Sequence, residues 1–373
     1  MLKWLYSTIR KWTINDAHKK LYKKIANCNL DVYNTNTSKE GETLWKKKWS
    51  VLDSNISPLS YRIFSEYIGE DINILPCEVC ATYIEPILNP IEYRAIYSDK
   101  NAFDQLFGIE NTCGTILRRI NGKYYDSNYN IIENIAESIL HILNTGQDKI
   151  IVKPSVDSNS GQGVQMLIRK EDKWYTRDKE EPVTVDFINR LGDNLILQPY
   201  FEQSDFLKQF NPTSVNTLRI FAYRSVKDGN IYIPNAIIRI GGNGSIIDNA
   251  HGGGRFVGLT QDGKTMNTTC DFLGNRKAIH NSIDFSKNQY AVPNYDKVID
   301  FVKEQSKRIT QHHLLAWDIC LDKNNNPKIL EINVYGFSSW FFQFTSGTTF
   351  GKYTDEIIDY VKKNKPKFVG YIK

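Results

Sequence analysis

The sequence has no long hydrophobic run. No apolar segment reaches the ~18–20 residues that a helix needs to cross a bilayer. The first residues, MLKWLYSTIRKW, contain no uninterrupted apolar core and no small-residue cleavage site, so we expect no secretory signal. These absences predict a cytoplasmic protein without a transmembrane segment.

Cysteine is scarce as well, with 6 in a chain of 373 residues and no disulfide-framework spacing. Reduced thiols agree with a cytoplasmic location. Cys77 and Cys80 form one C-x-x-C pair, but no second pair follows. We therefore expect two packed thiols there rather than a zinc or redox site.

An excess of one charge is missing too. The net charge of +5 is small for this length, and basic residues are interleaved with acidic ones, so nucleic-acid binding is only a weak alternative and we expect no nucleic-acid partner. The Gly-x-Gly-x-x-Gly turn is absent. The chain therefore lacks this common dinucleotide-binding fingerprint.

A predicted hairpin near the C-terminal end carries two acids. Apolar runs at residues 315–321 and 328–333 flank DKNNNP, which is typical of a tight connection. This connection places Asp318 roughly across from Glu331, and Asn333 shares the face of Glu331. Facing carboxylates repel, whereas Mg²⁺ prefers such oxygen ligands. The pattern indicates either a metal site or a solvated hairpin face with ordinary surface acids.

A Ser- and Gly-rich loop lies between two predicted strands. The strand Lys149–Pro154 leads directly into SVDSNSGQG, and a second strand follows at residues 164–169. Backbone N–H groups of such a loop can surround phosphates, and Lys153 lies at its base. An ordinary hairpin turn is the alternative interpretation.

Two arginines lie within apolar strand patterns. Predicted strands at residues 215–225 and 231–240 are joined by the turn KDGN, which places Arg219 and Arg239 roughly opposite each other. Two like charges in a half-buried sheet need an anion between them, and the planar guanidinium suits phosphate or carboxylate. Pairing with acids of the protein itself is the alternative.

His251 precedes three successive glycines, which would allow close approach of the backbone to a ligand. The imidazole could relay a proton, so His251 is a candidate catalytic residue. A histidine in a loop is more often simply exposed.

Residues 1–35 are predicted to be helical, with apolar side chains on one side and basic ones on the other. The apolar positions are Leu2, Leu5, Ile9 and Trp12, and the basic positions are Lys3, Arg10 and Lys11. Such a helix either contacts a membrane surface or partner through residues 1–24, or packs on its own protein. We favour packing on the protein. A further helix is predicted at residues 131–143.

Taken together, Lys153 with its Gly/Ser loop, LILQPYFEQ, NPTSVNTLRI and Asp318-x12-Glu331-Ile-Asn333 resemble the ATP-grasp superfamily. More narrowly, the chain resembles the sugar-transfer-associated ATP-grasp proteins of bacterial surface-polysaccharide gene clusters. The resemblance covers residues 85–350, and it includes the YSDK sequence that ends at Lys100.

The resemblance implies an α+β fold in which two lobes clamp ATP, with an extra helical N-terminal region. The implied divisions are a helical region at 1–85, an N-terminal lobe at 86–147, a small β-flap subdomain at 148–200 and a large subdomain at 201–373. ATP would lie between the sheets of the last two, and the large antiparallel sheet would carry the metal and phosphate site.

The resemblance also implies roles for individual residues. Lys153 and Lys100 would bind ATP phosphates, and Arg219 and Arg239 would stabilise the transferred γ-phosphate. The flap over the phosphates would include Ser158, Ser160, Gly161 and Gly163. The adenine and ribose would be held at Gln198, Pro199, Tyr200 and Glu202. One or two Mg²⁺ ions would be held by Asp318, Glu331 and Asn333.

The implied activity is ATP-dependent ligation of a carboxylate to an amine through an acyl phosphate. Only the resemblance suggests a sugar acid such as a uronic acid, joined to an amine or amino acid for a capsule or O-antigen. An ATP-dependent kinase of a small sugar-like substrate is the first alternative. A non-catalytic nucleotide-binding module is the second.

Overall fold

The computed structural model describes residues 2–28, 37–134, 146–156, 161–171, 173–248 and 252–365. In these ranges the longest helices are α1 (Leu2–Cys28), α2 (Lys39–Trp49), α3 (Pro58–Ile68), α4 (Tyr295–Lys307) and α5 (Thr354–Asn364). The shorter helical segments are Cys77–Val79, Cys80–Ile84, Glu85–Leu88, Ile91–Tyr93, Arg94–Ser98, Lys100–Ala102, Phe103–Phe107, Ile109–Asn111, Val185–Arg190, Asp205–Lys208, Trp340–Gln343 and Gly351–Tyr353. Within the described residues, no helix is both long and apolar enough to span a membrane.

Seven antiparallel strands in the described part of the chain form the first sheet, with the order β3-β2-β1-β7-β4-β5-β6. They are β1 (Leu117–Ile120), β2 (Lys123–Tyr125), β3 (Ile131–Ile132), β4 (Lys149–Pro154), β5 (Gln165–Lys170), β6 (Lys173–Thr176) and β7 (Leu195–Pro199). The helix predicted to begin at residue 131 is therefore wrong at its start, where a short strand pairs with β2. The rest of that prediction, from 135 onward, lies outside the described residues.

The second sheet, again counted over the described residues, has seven antiparallel strands in the order β12-β11-β10-β9-β8-β15-β16. They are β8 (Thr217–Arg224), β9 (Ile231–Ile240), β10 (Arg255–Leu259), β11 (Thr265–Cys270), β12 (Arg276–Lys277), β15 (Leu314–Leu321) and β16 (Pro327–Asn333). A separate small hairpin pairs β13 (Ile279–His280) with β14 (Ile283–Asp284).

The first sheet draws strands from both sides of the predicted boundary at residue 147. β1 pairs with β7, and β7 pairs with β4, so that strands from the predicted segments 86–147 and 148–200 alternate in space. A division at 147 would therefore cut through one sheet rather than separate two lobes.

The two faces of the second sheet pack against different helices. One face packs on α4 and carries a continuous apolar core that includes Leu315, Trp317, Ile220, Ile238, Val298 and Val302. On the other face, the apolar half is covered by the N-terminal helices, whose buried side chains include Tyr22, Trp45, Trp49 and Phe64. Residues 1–85 thus cover the apolar half of this face. The polar half of the same face carries the site described below.

A buried ion pair joins the helix Phe103–Phe107 to β1. The carboxylate of Asp104 accepts hydrogen bonds from Thr112 (2.6 Å) and Thr115 (2.7 Å) and forms an ion pair with Arg118. Arg118 is fully buried, and its guanidinium lies over the ring of Tyr129 at 4.1 Å.

Replacing Asp104 with alanine is expected to lower the free energy of unfolding by about 3–5 kcal/mol, because a buried guanidinium loses its counter-charge. Urea unfolding of both proteins measures this difference. The matched control is Glu180→Ala, which removes an exposed ion pair with Lys170 and should leave the free energy of unfolding nearly unchanged. Equal losses in the two variants would contradict the prediction.

Candidate active site

A cavity of about 480 Å³ lies between the two sheets. Its volume is in the range of small-molecule sites. The first sheet contributes side chains that alternate with its buried core residues, because successive residues of a strand face opposite sides. Ile150 and Val152 of β4 are buried on one face, whereas Ile151 and Lys153 line the cavity on the other.

Two lysines meet at this cavity. Lys153 is only 7% exposed, and both lysines line the cavity. The backbone N–H of Lys100 donates to the carbonyl of Ser155 (2.9 Å), two residues after Lys153. Burial, and next the charge of Lys100, lowers the pKa of Lys153 to about 8. Lys100 forms an ion pair with Glu331 at 2.9 Å. A phosphate group could accept contacts from both lysines.

The acids of the C-terminal hairpin have the predicted register. Asp318 of β15 pairs directly with Glu331 of β16, and Ala316 pairs with Asn333. On its other side, Asp318 pairs with Arg219 of β8. Asn333 donates to Asp318 Oδ2 at 3.3 Å. The three predicted oxygen donors are therefore brought together on the cavity wall.

The two arginines are offset rather than opposite each other. Arg219 pairs with Ile237, and Arg239 pairs with Thr217 two residues away, so the predicted cross-strand position is wrong by two residues. An even offset keeps both side chains on one face. A bulge near Phe221 shifts the register by one residue, from Arg224 opposite Ile231 near the turn to Arg219 opposite Ile237, and this shift makes the offset even.

Both arginines bind Asp318. Arg219 donates from Nε to Oδ1 (2.8 Å) and from Nη2 to Oδ2 (2.7 Å), and Arg239 donates from Nη1 to Oδ2 (3.0 Å). Burial favours the neutral acid, but the charges of Arg219 and Arg239 outweigh it, so the pKa of Asp318 lies below its usual value. In this structure, both arginines therefore pair with an acid of the protein itself, which is the alternative interpretation given above.

Asp248 is a site residue that the sequence did not reveal. It forms an ion pair with Arg239 at 3.2 Å, accepts a hydrogen bond from the hydroxyl of Thr217, and lines the cavity. Burial, reinforced by the charge of Asp318, raises its pKa despite the arginines. The adjacent glycines and histidine predicted a close approach of the backbone to a ligand, but nothing in the local pattern indicates that this acid would be buried against Arg239.

Arg94 and Cys113 also line the cavity without having been predicted to do so. The guanidinium of Arg94 lies over the ring of Tyr335 at 5.0 Å. Cys113 Sγ is 3.4 Å from Cys320 Sγ. This contact and the nearby Lys153 outweigh burial, which acts in the opposite direction, and lower the pKa of Cys113. By contrast, Cys77 and Cys80 are buried in the helical core, as packed thiols.

The charges around the cavity favour an anionic ligand. The lysines and arginines at Lys100, Lys153, Arg219 and Arg239 face the acids at Asp248, Asp318 and Glu331. With Arg94, five cationic side chains and three acids line the described part of the cavity, and this positive excess in a largely buried site suits phosphate oxygens.

The donor set fits a hard cation as well. No group of three or more His, Cys, Asp or Glu side chains in the described residues is arranged for a metal, but Asp318, Glu331 and Asn333 offer two carboxylates and an amide. Asp318 Oδ1 accepts a single hydrogen bond among those described here, and a carboxylate oxygen has about two lone-pair sites. Asp318 therefore keeps coordination capacity for Mg²⁺ on the cavity wall.

Part of the predicted flap is described. Gly161 lines the cavity with φ 71°, and a Cβ there would lie 2.6 Å from Cδ1 of Ile247. Gly163 has φ 75°, and its Cβ would lie 2.8 Å from Cγ of Pro154. Both positions therefore require glycine. Ser158, Ser160 and His251 lie outside the described residues.

The end of β7 forms another wall of the cavity. Gln198, Pro199 and Tyr200 line it, and the amide of Gln198 donates to the carbonyl of Gly114 at 2.7 Å. Glu202 instead forms an ion pair with Lys323 and, within the described chain, is not among the lining residues. Its predicted ribose contact would require a change in this ion pair.

Comparison with known proteins gives one family and several distant structural likenesses. The family model described as sugar-transfer associated ATP-grasp matches residues 80–357. No curated protein matches the chain.

Three solved structures are similar, at low identity. The ATP-grasp ligase PsnB, complexed with a phosphomimetic precursor variant, Mg and ADP, has a TM-score of 0.39 and 12% identity over 74% of this chain and 61% of that chain. The D-cycloserine synthetase DcsG has a TM-score of 0.40 and 11% identity over 74% and 73%. The D-alanine-D-alanine ligase from Coxiella burnetii has a TM-score of 0.36 and 10% identity over 74% and 62%.

The chain thus spans about three fifths of the PsnB and D-alanine-D-alanine ligase chains. The family match begins at residue 80, close to the point where the N-terminal helical region ends, and includes both sheets and the cavity between them. On this match, the chain belongs to the sugar-transfer associated ATP-grasp family.

Proposed function

We propose that this protein is an ATP-dependent ligase that joins a carboxylate to an amine through an acyl phosphate. The observation that carries the proposal is the cavity wall on which Lys100, Lys153, Arg219 and Arg239 face Asp318 and Glu331. Such a wall suits a triphosphate and the charge that moves during phosphoryl transfer. Membership of the family supports the same assignment.

The proposed reaction has two steps. A carboxylate oxygen of the substrate attacks the γ-phosphorus of ATP, and ADP leaves. The amine nitrogen then attacks the acyl carbon, phosphate leaves, and the nitrogen loses a proton to give the amide. This route needs no covalent enzyme nucleophile.

Each charged group has a proposed part. Lys153 and Lys100 bind phosphate oxygens, while Arg219 and Arg239 turn part of their hydrogen bonding from Asp318 to the transferred phosphoryl group. Mg²⁺ held by Asp318, Glu331 and Asn333 would supply further neutralisation of phosphate charge. The loop that ends at Gly161 and Gly163 excludes water from the acyl phosphate.

The substrate proposal is narrower than the reaction. We propose a sugar acid as the carboxylate, and an amine or amino acid as its partner, in the cytoplasmic synthesis of a surface polysaccharide. The family description supports the sugar context. Arg94 at the cavity wall supports a carboxylate, because a guanidinium can bind both of its oxygens.

The test is a screen for ADP release with Mg·ATP and sugar acids crossed with amines. Hydroxylamine in place of the amine should yield a hydroxamate if an acyl phosphate forms. A stable phosphorylated product without hydroxamate would instead identify a kinase. Glu331→Gln, which removes a proposed metal ligand, is the background control, and no ADP release with any pair would contradict the proposal.

The affinity for nucleotide is expected to fall above about pH 8. Lys153 carries its charge below its pKa of about 8 and loses it as the pH rises through that value, so bound phosphates lose a counter-charge. The Kd for Mg·ADP should then rise, approaching about tenfold per pH unit. Isothermal titration calorimetry from about pH 7 to about pH 9.5 measures this change.

The control for this pH dependence is Lys153→Arg, because a guanidinium stays charged over the whole range. The rise in Kd above pH 8 should be absent or much smaller in that variant. An unchanged Kd in the unaltered protein across the range would contradict the assignment of Lys153 to phosphate binding.

A further inference from the structure

The two halves of helix α1 are attached to the protein in different ways. Its C-terminal half buries Tyr22, Ile25 and Ala26 in the helical core. Its N-terminal half is held by its basic side. Arg10 Nη2 donates to the carbonyl of Ala81 (3.0 Å), and Lys11 forms an ion pair with Asp53 at 2.8 Å.

The favoured interpretation, in which this helix packs on its own protein, is therefore confirmed, but Leu5, Ile9 and Trp12 are not the side chains through which it packs. Leu5 is 47% exposed, Ile9 is 55% exposed and Trp12 is 69% exposed, so the apolar side points away from the body of the protein. The contacts of Arg10 with the carbonyl of Ala81 and of Lys11 with Asp53 account for this orientation of the helix. A tryptophan left at this exposure marks an interaction surface rather than a packed one.

Lysines continue the same outer face. Positions 5, 9, 12, 16, 20 and 23 recur at steps of three and four residues, which places them on one side of a helix. The exposed lysines of the C-terminal half are Lys19, Lys20, Lys23 and Lys24. Asp16 is the acid on this side, and Lys20 pairs with it at 2.7 Å. The outer face is thus apolar and aromatic at one end and strongly basic at the other.

We propose that this outer face of α1, defined by Leu5, Ile9, Trp12, Lys20 and Lys23, docks on the surface of an anionic phospholipid membrane. The apolar side chains would enter the boundary between headgroups and acyl chains, where tryptophan is favoured. The lysines would contact headgroup phosphates and the negative surface potential. The docking is independent of the ligase reaction proposed above.

A second copy of the chain is a poorer occupant for this face. In an isologous contact each residue meets the same surface on its partner. A parallel pairing of two α1 helices would place lysines against lysines, and an antiparallel pairing would place lysines against Leu5, Ile9 and Trp12. An anionic bilayer satisfies the basic and the apolar parts together.

The experiment is co-sedimentation of the full chain with lipid vesicles. We expect binding to phosphatidylcholine vesicles that contain about 30% phosphatidylglycerol, and much weaker binding to pure phosphatidylcholine. Raising the salt from about 0.1 M to about 0.5 M should reduce the binding. Ile9→Ser with Trp12→Ser, and separately Lys20→Glu with Lys23→Glu, should each lower the partition coefficient by about tenfold or more.

The matched control is Ile131→Ser, which removes another exposed isoleucine (59% exposed) far along the chain from α1. It should bind vesicles like the unaltered protein. The Ile9/Trp12 variant should keep the thermal midpoint of the unaltered protein, because its altered side chains are exposed, whereas the Lys20/Lys23 variant exchanges the Asp16 ion pair for a repulsion and should lower the midpoint slightly. Equal binding by the Ile9/Trp12 variant and the unaltered protein would overturn the proposal. So would a dimer, measured by analytical ultracentrifugation, that this variant abolishes.

Discussion

Lys153→Met is expected to reduce ATP-dependent turnover by about 10²–10³-fold, which is the loss typical of removing one preorganised group at a site of charge transfer. Methionine keeps the length of the buried side chain but removes the ammonium. Burial and Lys100 already disfavour the charge at this position, so the folded protein should be as stable as before or more stable. Loss of activity without loss of stability is the signature of a ligand-binding role.

Two measurements separate these effects. ADP release gives kcat/KM for ATP, and thermal unfolding gives Tm. The control is Lys173→Met, which removes an exposed lysine from β6 of the same sheet and should leave both unchanged. If Lys153→Met keeps full activity, Lys153 does not bind the phosphates, and the proposed position of ATP is wrong.

Asp318→Asn is expected to abolish activity and also to destabilise the protein by about 3–5 kcal/mol. The carboxylate accepts hydrogen bonds from both Arg219 and Arg239 in a buried site. An amide leaves two guanidinium groups without this counter-charge. Urea unfolding of the variant and the unaltered protein gives the difference in the free energy of unfolding.

The pH dependence of this difference has a definite sign. The pKa of Asp318 lies below its usual value in the folded protein, so its stabilisation is complete above the unfolded-state pKa and is lost as the pH falls through the folded-state pKa. The stability gap between the two proteins should therefore narrow in acid. A gap that widens as the pH falls would contradict the ion-pair explanation.

Glu331→Gln is the companion variant for Asp318→Asn. Glu331 has 31% of its side chain exposed and a single described ion pair, with Lys100. We expect a comparable loss of activity, because a proposed metal ligand is gone, but a stability change of less than about 1 kcal/mol. If Glu331→Gln retains activity, the metal assignment fails even though the stability prediction for Asp318 can hold.

Local patterns in the sequence determined a large part of this site. Lys149–Pro154 is a strand with the predicted bounds, and Asp318 lies opposite Glu331 as the hairpin length implied. Both features depend on alternation along a strand and on the length of one turn, which are properties of neighbouring residues. The order of these motifs was also sufficient to identify the family.

Contacts between distant segments were decided only by the tertiary structure. Asp248 reaches Arg239, and both arginines turn to Asp318, because sheet packing brings these side chains into one buried space. Similarly, the apolar side of α1 faces outward because Arg10 and Lys11 find their partners at Ala81 and Asp53. Helical periodicity shows that a helix has an apolar side, but the free energy of packing the whole chain decides which side it buries.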